Sequence, residues 1–201
     1  RESEARFRGF VENASDIVFS LSPEALITYV SPNWLTLMGE PAAEAIGKPI
    51  VDYIHPSDVH LCRRFLRETA ATEQPARVEY RTLNRSGIVR WQSTNGAAVR
   101  DVNGRLTGYQ GIGRDITERK LAEAILRKSR DLFQSVVENV PARIFWKDGD
   151  LRYLGCNIQF AKDAGCSSPD ELTGRTDFEM GWKDQAELYR ADDKAVMESG
   201  K

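Results

Sequence analysis

The chain has 201 residues, 28 of them basic and 30 acidic, for a formal net charge of −2, with 41% hydrophobic and 29% charged residues. That is ordinary globular composition for one domain or two small ones, and the interspersed, nearly balanced charge leaves no electrostatic footprint for nucleic acid or an anionic membrane. No apolar run approaches the roughly 20 residues of a membrane helix, Arg1-Glu2-Ser3-Glu4 has no signal-peptide character, and Cys62, Cys156 and Cys166, lacking CxxC spacing, fit neither a disulfide framework nor a zinc site; the expectation is a cytoplasmic protein with no metal centre.

Ser3–Asn13 places Phe7, Phe10 and Val11 at helical spacing, and Ile17–Leu21 and Leu26–Val30 read as strands around a Ser22-Pro23-Glu24 turn. Ser31-Pro32-Asn33 starts a short helix carrying Trp34, Leu35 and Met38, which Gly39 ends. Ala42–Ile46 and Val51–Ile54 are short apolar pieces, and His55-Pro56-Ser57-Asp58 caps a helix over Val59–Thr72 with Val59, Cys62, Phe65 and Leu66 as its buried stripe. Strands over Arg77–Asn84, Ile88–Arg100 and Leu106–Ile116 follow, joined by turns at Arg85-Ser86-Gly87 and Asp101-Val102-Asn103-Gly104.

Glu118–Asn139 has no internal Gly or Pro and predicts one helix of about 30 Å, with Thr117 as its N-cap. Lys128 interrupts the seam of Leu121, Ile125, Leu132 and Val136, so a coiled coil and a helix half docked on its own domains both remain open. Past it the sequence starts again: Phe7–Asn13 recurs as Phe133–Asn139, Tyr29 with Asn33 as Tyr153 with Asn157, and Gly39 with Gly47 as Gly165 with Gly174. The second copy's equivalent of Val59–Thr72 falls at Asp184–Ser199, and its last three strands are absent, so it reads as truncated or partly ordered.

The Asp115-Ile116-Thr117-Glu118-Arg119-Lys120 segment, with Asn33, Gly47, His55-Pro56-Ser57-Asp58 and Arg90-Trp91, resembles the PAS domains of bacterial signalling proteins. Residues 144–148, 153–157 and 172–178 resemble another branch of the same family. The resemblance implies an α+β fold with a five-stranded antiparallel sheet, order 2-1-5-4-3, helices on one face and a ligand cavity beneath them. It is repeated in tandem with the second copy incomplete: residues 1–117, a linker and signalling helix over 118–139, and a second domain over 131–201. Asp115 and Thr117 would couple the last strand to that helix.

No catalytic constellation is present. His55 and His60 read as a turn residue and a surface residue, and Gly108, Gly111 and Gly113 as strand glycines rather than a phosphate loop. The expectation is therefore a non-enzymatic sensory region whose output domain, a histidine kinase or a cyclic-dinucleotide enzyme, lies in the same protein. The lack of a histidine near Thr72 counts against haem, and Lys48-Pro49-Ile50 replaces the reactive cysteine of light-sensing LOV domains. A noncovalent flavin, FAD with FMN or none as alternatives, reporting redox state or oxygen, is what the resemblance favours for the first domain. Thr82 and Gln92 fall at ring-contacting positions, Gly113 replaces the family glutamine, Asn33 and Trp34 stand at the cavity mouth, Tyr80 and Trp91 contribute aromatic walls, and Arg63, Arg64 and Arg67 could reach a phosphate. The plainer readings are core aromatics and a solvated helix face. Strand alternation puts Gln92 in the cavity only if Trp91 faces away. Two other functions fit the same residues: a cofactor-free module pairing as a homodimer through Phe7, Phe10, Leu121 and Ile125, or a metabolite sensor in which Arg81 or Arg90 reads a carboxylate.

Overall fold

The computed structural model describes residues 16–72 and 74–199; the expected helix over residues 3–13, with Phe7 and Phe10, lies outside them. Strands β1 (Ile17–Leu21), β2 (Ile27–Val30), β3 (Ala76–Leu83), β4 (Val89–Arg100) and β5 (Leu106–Asp115) form one antiparallel sheet in the order β2-β1-β5-β4-β3. Short helices α1 (Trp34–Met38) and α2 (Ala42–Ala45), two 3-10 turns and the longer α3 (Val59–Thr72) connect β2 to β3, and α3 packs on β3 and β4.

Alternation decides what is buried: Ile17, Phe19 and Leu21 point from β1 into a core shared with Trp34, Met38, Tyr53, Phe65 and Tyr80. Cys62 is buried beside them, which pushes its thiol up to about 11. Gly111 is small for a reason the sheet makes explicit, since a Cβ there would stand 2.8 Å from the Phe19 ring and 2.7 Å from the Asn95 carbonyl.

Helix α4 (Thr117–Asn139) runs 23 residues without interruption, including Lys128–Arg130. Thr117 is not its N-cap. The first helical bond runs from Lys120 N–H to Ile116 C=O, so Ile116 holds that position, while the Asp115 carboxylate accepts from Thr117 N–H at 2.8 Å. The Thr117 hydroxyl is engaged elsewhere, as described below.

The chain divides into two compact units between Ala124 and Ile125. The second contains β6 (Phe145–Lys147), β7 (Tyr153–Cys156), α5 (Ile158–Asp163), three 3-10 turns and α6 (Ala186–Ser199). Its main chain repeats several of the first unit's hydrogen bonds. Ala25 and Leu151 both take left-handed φ, 65° and 61°. Ser31 N–H donates to Val18 C=O and Asn157 N–H to Ile144 C=O, and in return the Ser31 hydroxyl accepts from Val18 N–H as the Asn157 amide oxygen accepts from Ile144 N–H. Gly47 N–H donates to Ile27 C=O as Gly174 N–H does to Tyr153 C=O.

These bonds correct the repeat register: Tyr153 answers to Ile27 and Asn157 to Ser31, an offset of 126, not to Tyr29 and Asn33. From Gly174 onward the offset is 127, which sets α6 against α3 residue for residue.

Candidate functional site

The interior of the first unit brings together four of the expected ligand residues: Trp34, Tyr80, Thr82 and Gln92 are all buried and, with Tyr53 and Ile50, line one space beneath the sheet. That space measures about 10 Å³, on the order of a single water. The Trp34 ring meets Tyr53 edge-on at 4.8 Å, Tyr80 Oη hydrogen-bonds Thr94 Oγ1 at 2.8 Å, and Thr82 Oγ1 donates to Arg90 C=O at 3.3 Å. Tyr53 donates in turn to the buried Glu40 carboxylate, and burial, with that partner, raises the phenol above its ordinary range. Gln92 lies over Gly113, where a Cβ would stand 2.2 Å from its Nε2. The glutamine side chain thus takes the volume that a larger residue at 113 would need. Ligand pockets run to about 300–1,000 Å³, and a three-ring flavin does not fit this packing.

The remaining expected residues are elsewhere. Trp91 alternates to the opposite face from Gln92, with Lys120 Nζ 5.1 Å and the Arg81 guanidinium carbon 5.7 Å from its ring centroid. Asn33 is half-buried at the start of α1. Arg63, Arg64 and Arg67 are exposed on α3, and Arg64 pairs with Glu68, which is the solvated helix face. The two arginines considered for a carboxylate ligand already have carboxylates. Arg81 clasps Asp58 through Nε at 2.9 Å and Nη2 at 2.6 Å, holding that carboxyl down at about 2, and Arg90 Nη1 lies 2.8 Å from Asp115 Oδ2.

Asp115 and Thr117 form a joint between β4 and α4. Trp91 N–H donates to Thr117 Oγ1 at 2.9 Å, and Trp91 C=O accepts from Ile116 N–H at 2.9 Å. Burial alone would raise the Asp115 carboxyl, but hydrogen bonds from Thr117 and Arg90 outweigh it and hold it below its ordinary value. Lys120 and Arg119, one turn on, both pair with Glu79 of β3.

In the second unit a pocket of about 280 Å³ opens among Phe145, Tyr153, Phe160, Trp182 and Tyr189. Lys147, 7% exposed at its side chain, sits in it with Nζ 2.7 Å from Asp177 Oδ2 and 2.6 Å from Asp193 Oδ2. Asp177 Oδ1 also accepts from Tyr153 Oη at 2.7 Å and Trp182 Nε1 at 3.2 Å. Burial works against the Asp177 charge, yet these three donors keep its carboxyl below the ordinary range.

The family model described as the PAS fold matches residues 11–121 and again 137–201. The chain belongs to the PAS family. The PAS fold is a sensory rather than a catalytic module, and this chain is a tandem PAS sensory region. A solved sensory box histidine kinase/response regulator from Burkholderia thailandensis is similar, with TM-score 0.54 and 30% identity over 65% of this chain and 98% of that one. The two-component sensor PprA of Pseudomonas aeruginosa is 26% identical over 85% of this chain and 19% of its own length. A blue-light-activated histidine kinase of Brucella anthropi is 47% identical over 58 residues, 29% of this chain and 11% of its own length. The PAS region thus spans under a fifth of these two curated relatives. Among its described residues no helix is long and apolar enough to cross a membrane.

The ligand-sized cavity expected in the first PAS copy is not what the packing gives: about 10 Å³ beneath the first sheet against about 280 Å³ in the second unit. Tyr80, Thr82 and Gln92 of β3 and β4 close the first interior, whereas the second unit has only β6 and β7 among the described residues. Trp34 and Tyr53 fill the first interior, where the second PAS copy has Phe160 and Met180 at the matching positions. Lys147, Asp177 and Asp193 escaped the sequence reading because the copies were compared at like residues only, and around the hairpin the Tyr29 and Asn33 match was out of register by two. In the corrected register each charge falls opposite an apolar core residue, and that would have exposed them.

Proposed function

We propose that this tandem PAS region is the input of a two-component signalling protein and that it acts on an output kinase through α4. Similarity to histidine kinases of Brucella and Burkholderia, and to a two-component sensor of Pseudomonas, supports the kinase. The observation that carries the coupling is the joint in which Thr117 Oγ1 and Ile116 N–H bind both main-chain groups of Trp91. A change in strand β4 therefore reaches the first turn of the helix with no intervening loop. Autophosphorylation of the longer protein, compared with its Asp115→Ala and Thr117→Val variants, is the test. Altered signal dependence with an intact sheet supports the reading; phosphorylation indifferent to both variants overturns it, and cyclic-dinucleotide synthesis in its place moves the output to the other enzyme class.

In this reading the first copy is a sealed, cofactor-free relay. Pairing with a second copy through α4 belongs to it, since Leu121, Ile125 and Leu132, spaced by four and seven residues along one side of the helix, remain 57%, 69% and 63% exposed. Sedimentation of the protein and of a Leu121→Ser, Ile125→Ser variant reads this directly: a dimer lost in the variant is expected, and a monomer in both rejects it.

The similarity to a blue-light-activated histidine kinase favours a second reading, a flavin redox or oxygen sensor with FAD or FMN in the first copy. The filled interior stands against it. A visible absorption spectrum separates the two, because bound flavin is yellow and the sealed relay is colourless.

A further inference from the structure

We propose that the first PAS copy holds the rotation of α4 with an ionic clasp centred on Glu79, and that dissolved salt opens this clasp while the Thr117 joint stays closed. The inference deepens the reading in which α4 carries the output of the first copy, and its functional meaning rests on that reading. Every residue of the clasp lies in the first unit, whose sheet has all five strands.

Two different strands take hold of one helix turn. Strand β4 binds it through neutral groups, Trp91 N–H to Thr117 Oγ1 and Ile116 N–H to Trp91 C=O, each at 2.9 Å. Strand β3 binds it through charge: the Glu79 carboxylate lies 2.7 Å from Lys120 Nζ and 2.8 Å from Arg119 Nη2, with Arg77 of its own strand 3.0 Å away. The hydrogen bond from Lys120 outweighs burial and keeps the Glu79 carboxyl below its ordinary range, so the clasp is ionised at neutral pH. A helix bonded at its first residue alone is free to turn about its axis. Thr117 and Lys120, three residues apart, share a helix face, and the second hold fixes the azimuth that the first leaves open.

Glu123 is what allows the clasp to open. It lies one turn along α4, 2.7 Å from Arg119 Nη1 and 4.0 Å from Lys120 Nζ, so both cations already have a second carboxylate within the helix. Letting go of Glu79 strands no charge on α4, and Arg77 stays with Glu79 on the strand. The shared cations therefore have two settings, one across to the sheet and one inside the helix.

Salt separates the two holds. The Glu79 and Lys120 side chains are 28% and 27% exposed and Arg119 is 46% exposed, within reach of dissolved ions, which at about 1 M screen charge over roughly 3 Å. Exposed pairs of this kind contribute little each, so screening shifts the balance. Salt weakens the pairs with Glu123 as well, but those lie within the helix and hold nothing against the sheet. The other ionic contact at this end, Arg90 Nη1 to Asp115 Oδ2, also weakens, yet Asp115 keeps its bond from Thr117 N–H and β4 stays joined.

Residual dipolar couplings of the 201-residue protein, aligned in a neutral stretched gel, test this by fitting the amide couplings of residues 118–124 to the orientation set by β1–β5. In dilute buffer one orientation should fit helix and sheet together; in about 1 M sodium chloride the helix couplings should shrink while those of the strands hold. Glu79→Gln should show the shrunken couplings already in dilute buffer, and Glu123→Gln, which removes the competing carboxylate, should move the loss to higher salt. Helix couplings indifferent to salt, or equal in Glu79→Gln and the parent, overturn the proposal. The salt series uses the unaltered chain, so it decides the matter even where Glu79→Gln disturbs the sheet. None of these measurements involves a kinase: the clasp can fail while phosphorylation still depends on Thr117, and it can hold while phosphorylation does not.

Discussion

Trp91 and Thr117 are joined as if the sheet continued one residue into the helix: the strand N–H donates 2.9 Å to the threonine hydroxyl where a ladder carbonyl would otherwise stand. Replacing Thr117 by Val keeps the shape and removes the acceptor, leaving a half-buried N–H unpaired at a cost of about 1–3 kcal/mol. Thr117→Ser should recover most of that loss. Urea unfolding gives the magnitude, and faster amide exchange at Trp91 in the valine variant alone locates it.

The Asp58–Arg81 clasp predicts an acid-sensitive first copy. Asp58 drops from an ordinary 3.8 to about 2 in the folded protein, so its contribution to stability is complete above the unfolded value and is lost as pH falls from about 4 to about 2. Arg81→Met removes the cause, at a cost on the order of 2 kcal/mol at neutral pH. The variant and the parent should converge in stability at the acid end of that window, which chemical denaturation across pH will register.

Gly113 and Gln92 should be energetically coupled. A Cβ at 113 would meet Gln92 Nε2 at 2.2 Å and Cδ at 2.8 Å, and the filled interior leaves the glutamine little room to retreat, so Gly113→Ala is expected to cost about 1–3 kcal/mol. In a Gln92→Ala background most of that cost should vanish. A double-mutant cycle that returned simple additivity would mean that Gln92 does not own this space.

Lys147 neutralises two carboxylates that the second copy buries or half-buries, with Asp177 only 1% exposed. Lys147→Met should destabilise by about 3–5 kcal/mol near neutral pH, because it strands those charges. Without the lysine, burial drives the Asp177 carboxyl upward and it takes a proton sooner. The deficit against the parent should therefore shrink as pH falls through the carboxylate range, visible in paired melting curves.

The strands, the turns at Gly87 and Gly104, and the α3 stripe of Cys62, Phe65 and Leu66 were legible in the sequence, because alternation, turn chemistry and helical spacing are local signals, while the sheet order came with the family resemblance. The Thr117 contact was not, since a hydroxyl that looks like a cap from its neighbours is claimed by a strand 26 residues away. The first interior was misjudged for a related reason. Trp34, Tyr53 and Tyr80 can wall a cavity or fill it, and only the distance between helices and sheet decides. The repeat was visible and its glycines rightly matched, but Tyr29 and Asn33 were set against the wrong partners because like residues were paired; Ser31 and Asn157 differ in type and make the same two bonds.

Those two residues have a consequence for how such a chain can change. The frame they lock is built from main-chain groups around Ala25 and Leu151, and it places no demand on the chemistry it encloses. Between the two copies, leucine, isoleucine and phenylalanine of one interior are exchanged for lysine and aspartate of the other while the hairpin turn and its locking bonds keep their places. Heritable novelty at these positions needs no new architecture, only point substitutions inside a mould that is already cast twice.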